Sequence, residues 1–548
     1  MTIMGLIYLS SITGVLILLL ISVINRNINT KNFLLLIIFS GLLISSAFHS
    51  LSNNVGTFGK DSSSEYYVIR KTIVNGGFRE IESAFEAALS VSLTIPILLI
   101  ITNMRFISFY NFIYLLFILI DIIIFYKIAK RIFSDEKISF FSTVFYIANY
   151  WILTYSLSML RAGIAYILLH CLYLNILRSK NDQQKQILVS MLLSISIVVS
   201  YYSLVIPSIL TLLLTEIVEI KQKKNLHIPI LSISLIVFSF LYLMYYTIIA
   251  GQHIIDAFHN LISNYEERYH TKVSLIEPSP QAETSLKIIG QQLKLATFIT
   301  NYLLALANYF LLMKKKYTLL SHRKFFYLAT SSLVTFIVTS PFALIWGIIN
   351  FSYFYHWVIA LLTLYFIYVV RYSPIHYSIK ATVKGFLKIF LLLVMLINVL
   401  NTTFVIDYLC GLSNSYILDT IWNDSLNLFT LRLSDYYSLI FIVQYYSEYT
   451  KILGDCNNIA HINYVLAEYF QLSNKIVITT TSYHALSSNP SILKGVYMYL
   501  SSFNVRTESL YLHMQGVGYG IPLNISSSLN MTDIIYNSGA QIRFGGNI

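Results

Sequence analysis

Between Ile228 and Ile249 the chain runs 22 residues without a single charge. As a helix that stretch is long enough to cross a hydrocarbon core of about 30 Å. Comparable apolar runs occur at 6–24, 33–49, 84–101, 109–126, 139–157, 162–177, 187–201, 203–218, 297–313, 325–345, 355–370 and 386–404. Only 11% of the 548 residues are charged and the mean hydropathy is +0.67, against roughly 25% charged in soluble domains. Such a chain cannot cover a water-facing surface, which excludes an ordinary soluble enzyme or a disordered scaffold. The pattern predicts a mainly α polytopic transmembrane bundle.

The net charge of +12 has its usual membrane-protein source, cytoplasmic loops rich in Lys and Arg, and no nucleic-acid partner is implied. Six clusters hold 21 of the 37 basic residues: Arg26/Lys31; Lys127 to Lys137; Arg178 to Lys185; Lys221 to Lys224; Lys314 to Lys324; and Arg371 to Lys388. All six fall on one side if 84–101 dips into the membrane without crossing. Pro96 inside that run, with Glu82 and Glu86 at its start, suits a helix that is not lipid-exposed along its length. The expectation is therefore about twelve spans plus one re-entrant or juxtamembrane helix. It places a multi-pass protein in the cell membrane with its N-terminus and C-terminal domain outside. The first 24 residues lack the basic start of a cleaved signal peptide, so the first helix is expected to remain.

On this threading residues 1–404 form the transmembrane domain, with 50–108 as first outer loop and juxtamembrane helix and 250–296 as second outer loop. Residues 405–548 form a small external domain. It holds 6 basic and 9 acidic side chains, in contrast to the basic inner loops. KIVITTT (Lys475–Thr481) and Asp533–Tyr536 read as strands and Ile459–Phe470 as a helix, so a mixed α/β domain is expected. Sequons at Asn401, Asn423, Asn524 and Asn530 are compatible with export. Cys410 and Cys456 either pair in an oxidising compartment or stay as thiols, and Cys171 falls in an apolar helix. No phosphate-binding glycine loop or zinc-type Cys/His spacing is present, and the Gly516–Gly520 cluster reads as a turn.

The first outer loop carries GKDSSSEYYVIRKTIVNGGF, in which Asp61 and Glu65 are four residues apart and share one helical face. Two carboxylates at the bilayer mouth suit general-base work or the holding of a divalent metal ion; a solvated amphipathic helix gives the same spacing. Asp121, within ILIDIIIF, costs about 2.5–3.5 kcal/mol to insert if central, and Lys127 or Lys130 is its expected partner unless it is protonated.

Several segments together resemble the GT-C superfamily of membrane glycosyltransferases. More narrowly, they resemble a family of archaeal multi-pass membrane proteins allied to dolichyl-phosphate-mannose protein mannosyltransferases. These are Asp61-x-x-x-Glu65-Tyr66-Tyr67, LSVSLTIPIL (Leu89–Leu98), RAGIA (Arg161–Ala165), SYYS (Ser200–Ser203), YFYHWVIA (Tyr353–Ala360) and the closing strand Ile534–Phe544. The chain departs from the family pattern at Tyr201, where the family has His, at Ala162, where it has Gln, and at Tyr166, where it has an acid.

The resemblance implies transfer of a sugar from a polyprenyl-phosphate-linked donor to an external protein, lipid or glycan acceptor. Asp61 would be the general base, with Glu65 beside it as the second catalytic carboxylate. Arg161 would either meet the departing phosphate or snorkel as an interfacial anchor. Arg268, with Tyr265, Tyr269 and His270, is either a second phosphate contact or a loop charge. His356 either donates to phosphate or belongs to an aromatic belt, and Tyr201 and Tyr202 either line the acceptor cleft or join that belt. Two other classes fit the same composition: a transporter or flippase for a lipid-linked saccharide, and a non-catalytic assembly or receptor protein. The topology is checked by cysteine accessibility in a background lacking Cys171, Cys410 and Cys456. Ser63→Cys should react with an impermeant thiol reagent from outside, and Ser134→Cys only after permeabilisation.

Overall fold

The computed structural model describes residues 60–76, 88–104, 106–147, 160–177, 183–201 and 204–223, seven short strands between 450 and 544, and scattered helical positions elsewhere. The helices are α1 (Lys60–Val74), α2 (Ile95–Thr102), α3 (Phe106–Phe133), α4 (Glu136–Ile147), α5 (Leu160–Ile176), α6 (Gln183–Ser200) and α7 (Val205–Lys223). A five-residue π-turn, Ser90–Thr94, runs directly into α2.

Several helix ends have a local cause. After α1, Gly76 takes φ +67° and donates its N–H to the Ile73 carbonyl at 3.2 Å, a left-handed stop that glycine adopts without a Cβ penalty. Pro96 sits where the π-turn passes into α2, and its missing N–H interrupts the hydrogen-bond ladder at that junction. Asn103 ends α2 at φ 50°, with its N–H on the Leu99 carbonyl. Ser134 (φ 53°) closes α3, and Asp135 then caps α4: its Oδ1 accepts the N–H groups of Lys137 at 2.9 Å and Ile138 at 3.4 Å. Across that corner Lys130 donates to Glu136, and this hydrogen bond raises the Lys130 ammonium above the usual lysine range.

The helices pack with polar atoms inward. On α4, Ser139, Ser142 and Thr143 are buried and donate to carbonyls four residues back. Ser190 and Ser194 on α6, and Ser208, Thr211 and Thr215 on α7, are buried too. Asn175 of α5 donates to both the Gln186 carbonyl and Ser190 Oγ at 2.8 Å, stapling α5 to α6. Apolar residues face outward instead: Phe112, Leu116, Ile120 and Ile123 form an exposed row on α3, Leu188 and Leu192 on α6, and Leu213 and Ile217 on α7. Small and hydroxylated residues between helices with apolar residues outside is the arrangement of helix packing in lipid. Judged over the described residues alone, no helix is long and apolar enough to cross a membrane.

The expected strands are found, β2 at Ile476–Thr479 and β6 at Asp533–Asn537. They belong to a five-stranded mixed sheet ordered β2-β1-β3-β7-β6, with β1 Thr450–Leu453, β3 Tyr497–Leu500 and β7 Gln541–Phe544. β1 is parallel to both β2 and β3, whereas β7 is antiparallel to β3 and β6, with a register shift between Ile534 and Tyr536. Parallel neighbours need a crossover connection, and 22 residues (454–475) separate β1 from β2. The helix expected at Ile459–Phe470 lies outside the described residues, as do Cys410 and Cys456. β4 (Ser509–Leu512) and β5 (Ile521–Asn524) pair separately as an antiparallel ribbon.

The short helix expected over 84–101 begins at Leu89 among the described residues; Glu82 and Glu86 lie outside them. One expectation is corrected. Asp121 is not paired with Lys127 or Lys130. At about 100° per residue those lysines point roughly 120° and 180° away from it on α3, both are exposed, and Lys130 is held by Glu136. The partners of Asp121 are instead Tyr146 and His170, on two neighbouring helices.

The Asp135 cap yields a stability test. Asp135→Ala should lower unfolding stability in detergent by about 1 kcal/mol and Asp135→Ser by much less, as read by chemical denaturation.

Candidate functional site

Four elements meet at one point: the middle of α1, the π-turn, the start of α5 and the end of α6. α1 buries Glu65, Tyr66, Val68 and Ile69, so Glu65 enters the interior from the same face as the aliphatic contacts. The Glu65 side chain is fully buried. Its Oε2 accepts the Leu160 N–H at 2.8 Å and its Oε1 the Arg161 N–H at 3.4 Å, and Arg161 Nε lies 3.4 Å from Oε1. A carboxylate of α1 thus receives the first two described N–H groups of α5, 95 residues further along the chain. The helix dipole favours a negative charge at that position.

Arg161 is 4% exposed. Of its two expected roles, the snorkelling anchor is removed, because a snorkelling guanidinium keeps its head in water. Its Cζ stands 5.4 Å from the ring centroid of Tyr201, a cation–π distance. Tyr201 follows α6 directly, is buried, and is held by its N–H to the Ile197 carbonyl at 3.0 Å. Beside it the Ser90 hydroxyl of the π-turn reaches the Ser200 carbonyl at 3.5 Å. π-turns inside helices recur at functional sites, and this one adjoins the Arg161–Tyr201 pair.

Of the residues singled out in the sequence, Glu65, Arg161 and Tyr201 are therefore brought together. Asp61 lies in the first turn of α1, four residues before Glu65 and on the same helical face by position; its side chain is outside the described residues. Tyr202, Arg268 and His356 are also outside them. Among the described residues no cluster of three His, Cys, Asp or Glu side chains is placed to hold a metal ion. The two departures on α5, Ala162 and Tyr166, are both buried.

Sequence reasoning missed the Ser90–Ser200 contact and the Tyr146–Asp121–His170 cluster. The second had a usable signal: His170 is a polar residue in an apolar run, as Asp121 is, and intramembrane polar residues pair with one another.

No family model and no curated protein matches the chain. Among solved structures it is similar to ArnT from Cupriavidus metallidurans bound to undecaprenyl phosphate, at 10% identity over 91% of this chain and 99% of that one, with a TM-score of 0.47. It is also similar to the Archaeoglobus fulgidus oligosaccharyltransferase in complex with Zn and sulfate. There the identity is 12% over 92% of this chain and 73% of the other, with a TM-score of 0.45. At those scores neither likeness carries an argument about this chain.

Breaking a buried ion pair from one side leaves the other charge uncompensated and costs several kcal/mol, whereas replacing both partners with apolar groups costs far less. Glu65→Ala should therefore lower stability by about 3 kcal/mol, and Glu65→Gln with Arg161→Leu, which keeps an acceptor oxygen for the α5 N–H groups, should recover most of that loss, as measured by thermal unfolding in detergent.

Proposed function

We propose that this chain is a multi-pass membrane glycosyltransferase that moves a sugar from a polyprenyl-phosphate carrier to an acceptor hydroxyl on the outer face of the cell membrane. The observation that carries the reading is the meeting of Glu65, Arg161 and Tyr201 where α1, α5 and α6 converge. These residues come from three of the segments on which the GT-C resemblance rests. The polar-inside, apolar-outside packing of α3 to α7 supports the membrane setting.

In this reading Asp61, on the rim-side turn of α1, accepts the proton of the acceptor hydroxyl. The freed oxygen attacks the anomeric carbon as the bond from that carbon to the phosphate oxygen breaks. The sugar inverts and polyprenyl phosphate leaves as an anion. Arg161 supplies the fixed positive charge toward which that anion develops. Glu65 serves the reaction by holding Arg161: its oxygens are engaged by Leu160 and Arg161, which suits a positioning carboxylate rather than a second base. Tyr201 stands where the family carries His, and its ring face supports the guanidinium. Arg268, His356 and Tyr202 complete the proposed donor and acceptor contacts, and a divalent ion at Asp61 is an added option of the same reading.

The test is transfer in membrane vesicles supplied in turn with labelled polyprenyl-phosphate mannose and glucose. Asp61→Asn should abolish labelled product while expression, membrane insertion and thermal unfolding match the parent chain. Product from that variant at the parental rate would reject the assignment.

A further inference from the structure

A second buried polar cluster lies away from the proposed site, on the opposite face of α5. Asp121 on α3 is 9% exposed, and both its carboxylate oxygens are engaged. Oδ2 accepts the Tyr146 hydroxyl of α4 at 2.8 Å, and Oδ1 lies 2.5 Å from His170 Nδ1 of α5. A carboxylate oxygen and an imidazole nitrogen at that separation share one hydrogen bond. Tyr146 is itself sandwiched: its ring stacks on Phe125 at 3.9 Å between centroids and meets the His170 ring edge-on at 6.0 Å. One acid therefore ties three helices together, in a place where leaving it unpartnered would be costly.

The placement along α5 gives the cluster a role. His170 is nine residues beyond Arg161, which is two and a half turns and about 13.5 Å of rise. The two side chains consequently leave α5 on opposite faces. Arg161 and Leu160 bind Glu65 of α1 at the top, and His170 binds Asp121 of α3 lower down on the other side. Asn175 ties the far end of α5 to α6, and the Glu65 and His170 contacts add restraints on opposite faces at different heights. Of these, the His170 contact is the one that opposes rotation of the α5 face bearing Arg161 toward α1.

We infer that Asp121, acting through His170 and supported by Tyr146, is a positioning residue that sets the roll of α5 and thereby the aim of the Arg161 guanidinium. The inference rests on the reading of Arg161 as the ligand of the donor phosphate. It adds to that reading a residue far from any reacting atom on which donor use depends.

A double-mutant cycle separates this from a plain interhelical staple. Asp121→Asn keeps the size of the side chain and one acceptor oxygen but removes the charge. It should reduce kcat/KM for the polyprenyl-phosphate sugar about tenfold, in line with loss of a charged hydrogen bond. In an Arg161→Ala background it should reduce transfer no further. If the two losses multiply, Asp121 does not act through Arg161 and the inference falls. Tyr146→Phe keeps the ring stack while deleting one hydrogen bond. It should give a smaller, about threefold loss with the same non-additivity, and it serves if Asp121→Asn does not fold.

A second readout needs no catalysis. By hydrogen exchange, the Leu160 and Arg161 amides should exchange about tenfold faster in Asp121→Asn than in the parent chain. Parental exchange rates there would overturn the clamp, whatever the transfer assay gives. Faster exchange in a protein whose parent moves no sugar would uphold the clamp and reject the transferase reading alone.

Discussion

A carboxylate and a guanidinium, both withdrawn from water, join α1 to α5 and to the end of α6. Removing Glu65 and Arg161 from solvent is costly, and their attraction offsets that cost only because further donors complete the carboxylate. Those donors are backbone N–H groups of α5, so the ion pair also fixes where α5 starts relative to α1. The placement of α1, with Asp61 along it, and the cation–π contact with Tyr201 depend on this junction. An isosteric apolar pair would leave the Leu160 and Arg161 N–H groups without their carboxylate acceptor and would remove the positive charge that Arg161 brings to the junction.

The polar contacts elsewhere follow the same rule at lower energy. Asn175 bridges α5 and α6, Thr211 meets Thr335 at 3.3 Å, and the serines of α4 return their hydroxyls to their own helix. In a lipid setting apolar side chains gain little by leaving one apolar surface for another, so small and hydroxylated residues determine which helix faces meet. Phe112, Leu116, Ile120 and Ile123 are then left to the outside without penalty.

Much of the candidate site is legible in the sequence, and what is not has a physical reason. Asp61 and Glu65 fall on one helix face by spacing alone, and Arg161 stands out as a charge at the head of an apolar run. The partner of Glu65 is hidden because two of the three contacts described for it are backbone N–H groups, which leave no mark in the residue order. Asp121 misleads for a different reason. Its neighbours in sequence are lysines, but a helix sends residues six and nine places on to other faces, and the real partners come from α4 and α5, 25 and 49 residues away. In the C-terminal region the β2 and β6 strands are evident from their β-branched and aromatic runs, whereas the strand order, with β1 between two parallel neighbours, has no sequence signature.

The π-turn at Ser90–Thr94 fits one residue more into its loop than an α-turn would. That surplus residue swings everything downstream by about 100° around the axis. Ile95 and Leu99 thereby turn inward, and Ile97, Ile100 and Ile101 turn out, while Ser90 keeps its place against Ser200. The short helix beside the junction is in effect indexed like a key: its greasy edge and its hydroxyl edge keep their separate bearings only while that supernumerary residue is retained.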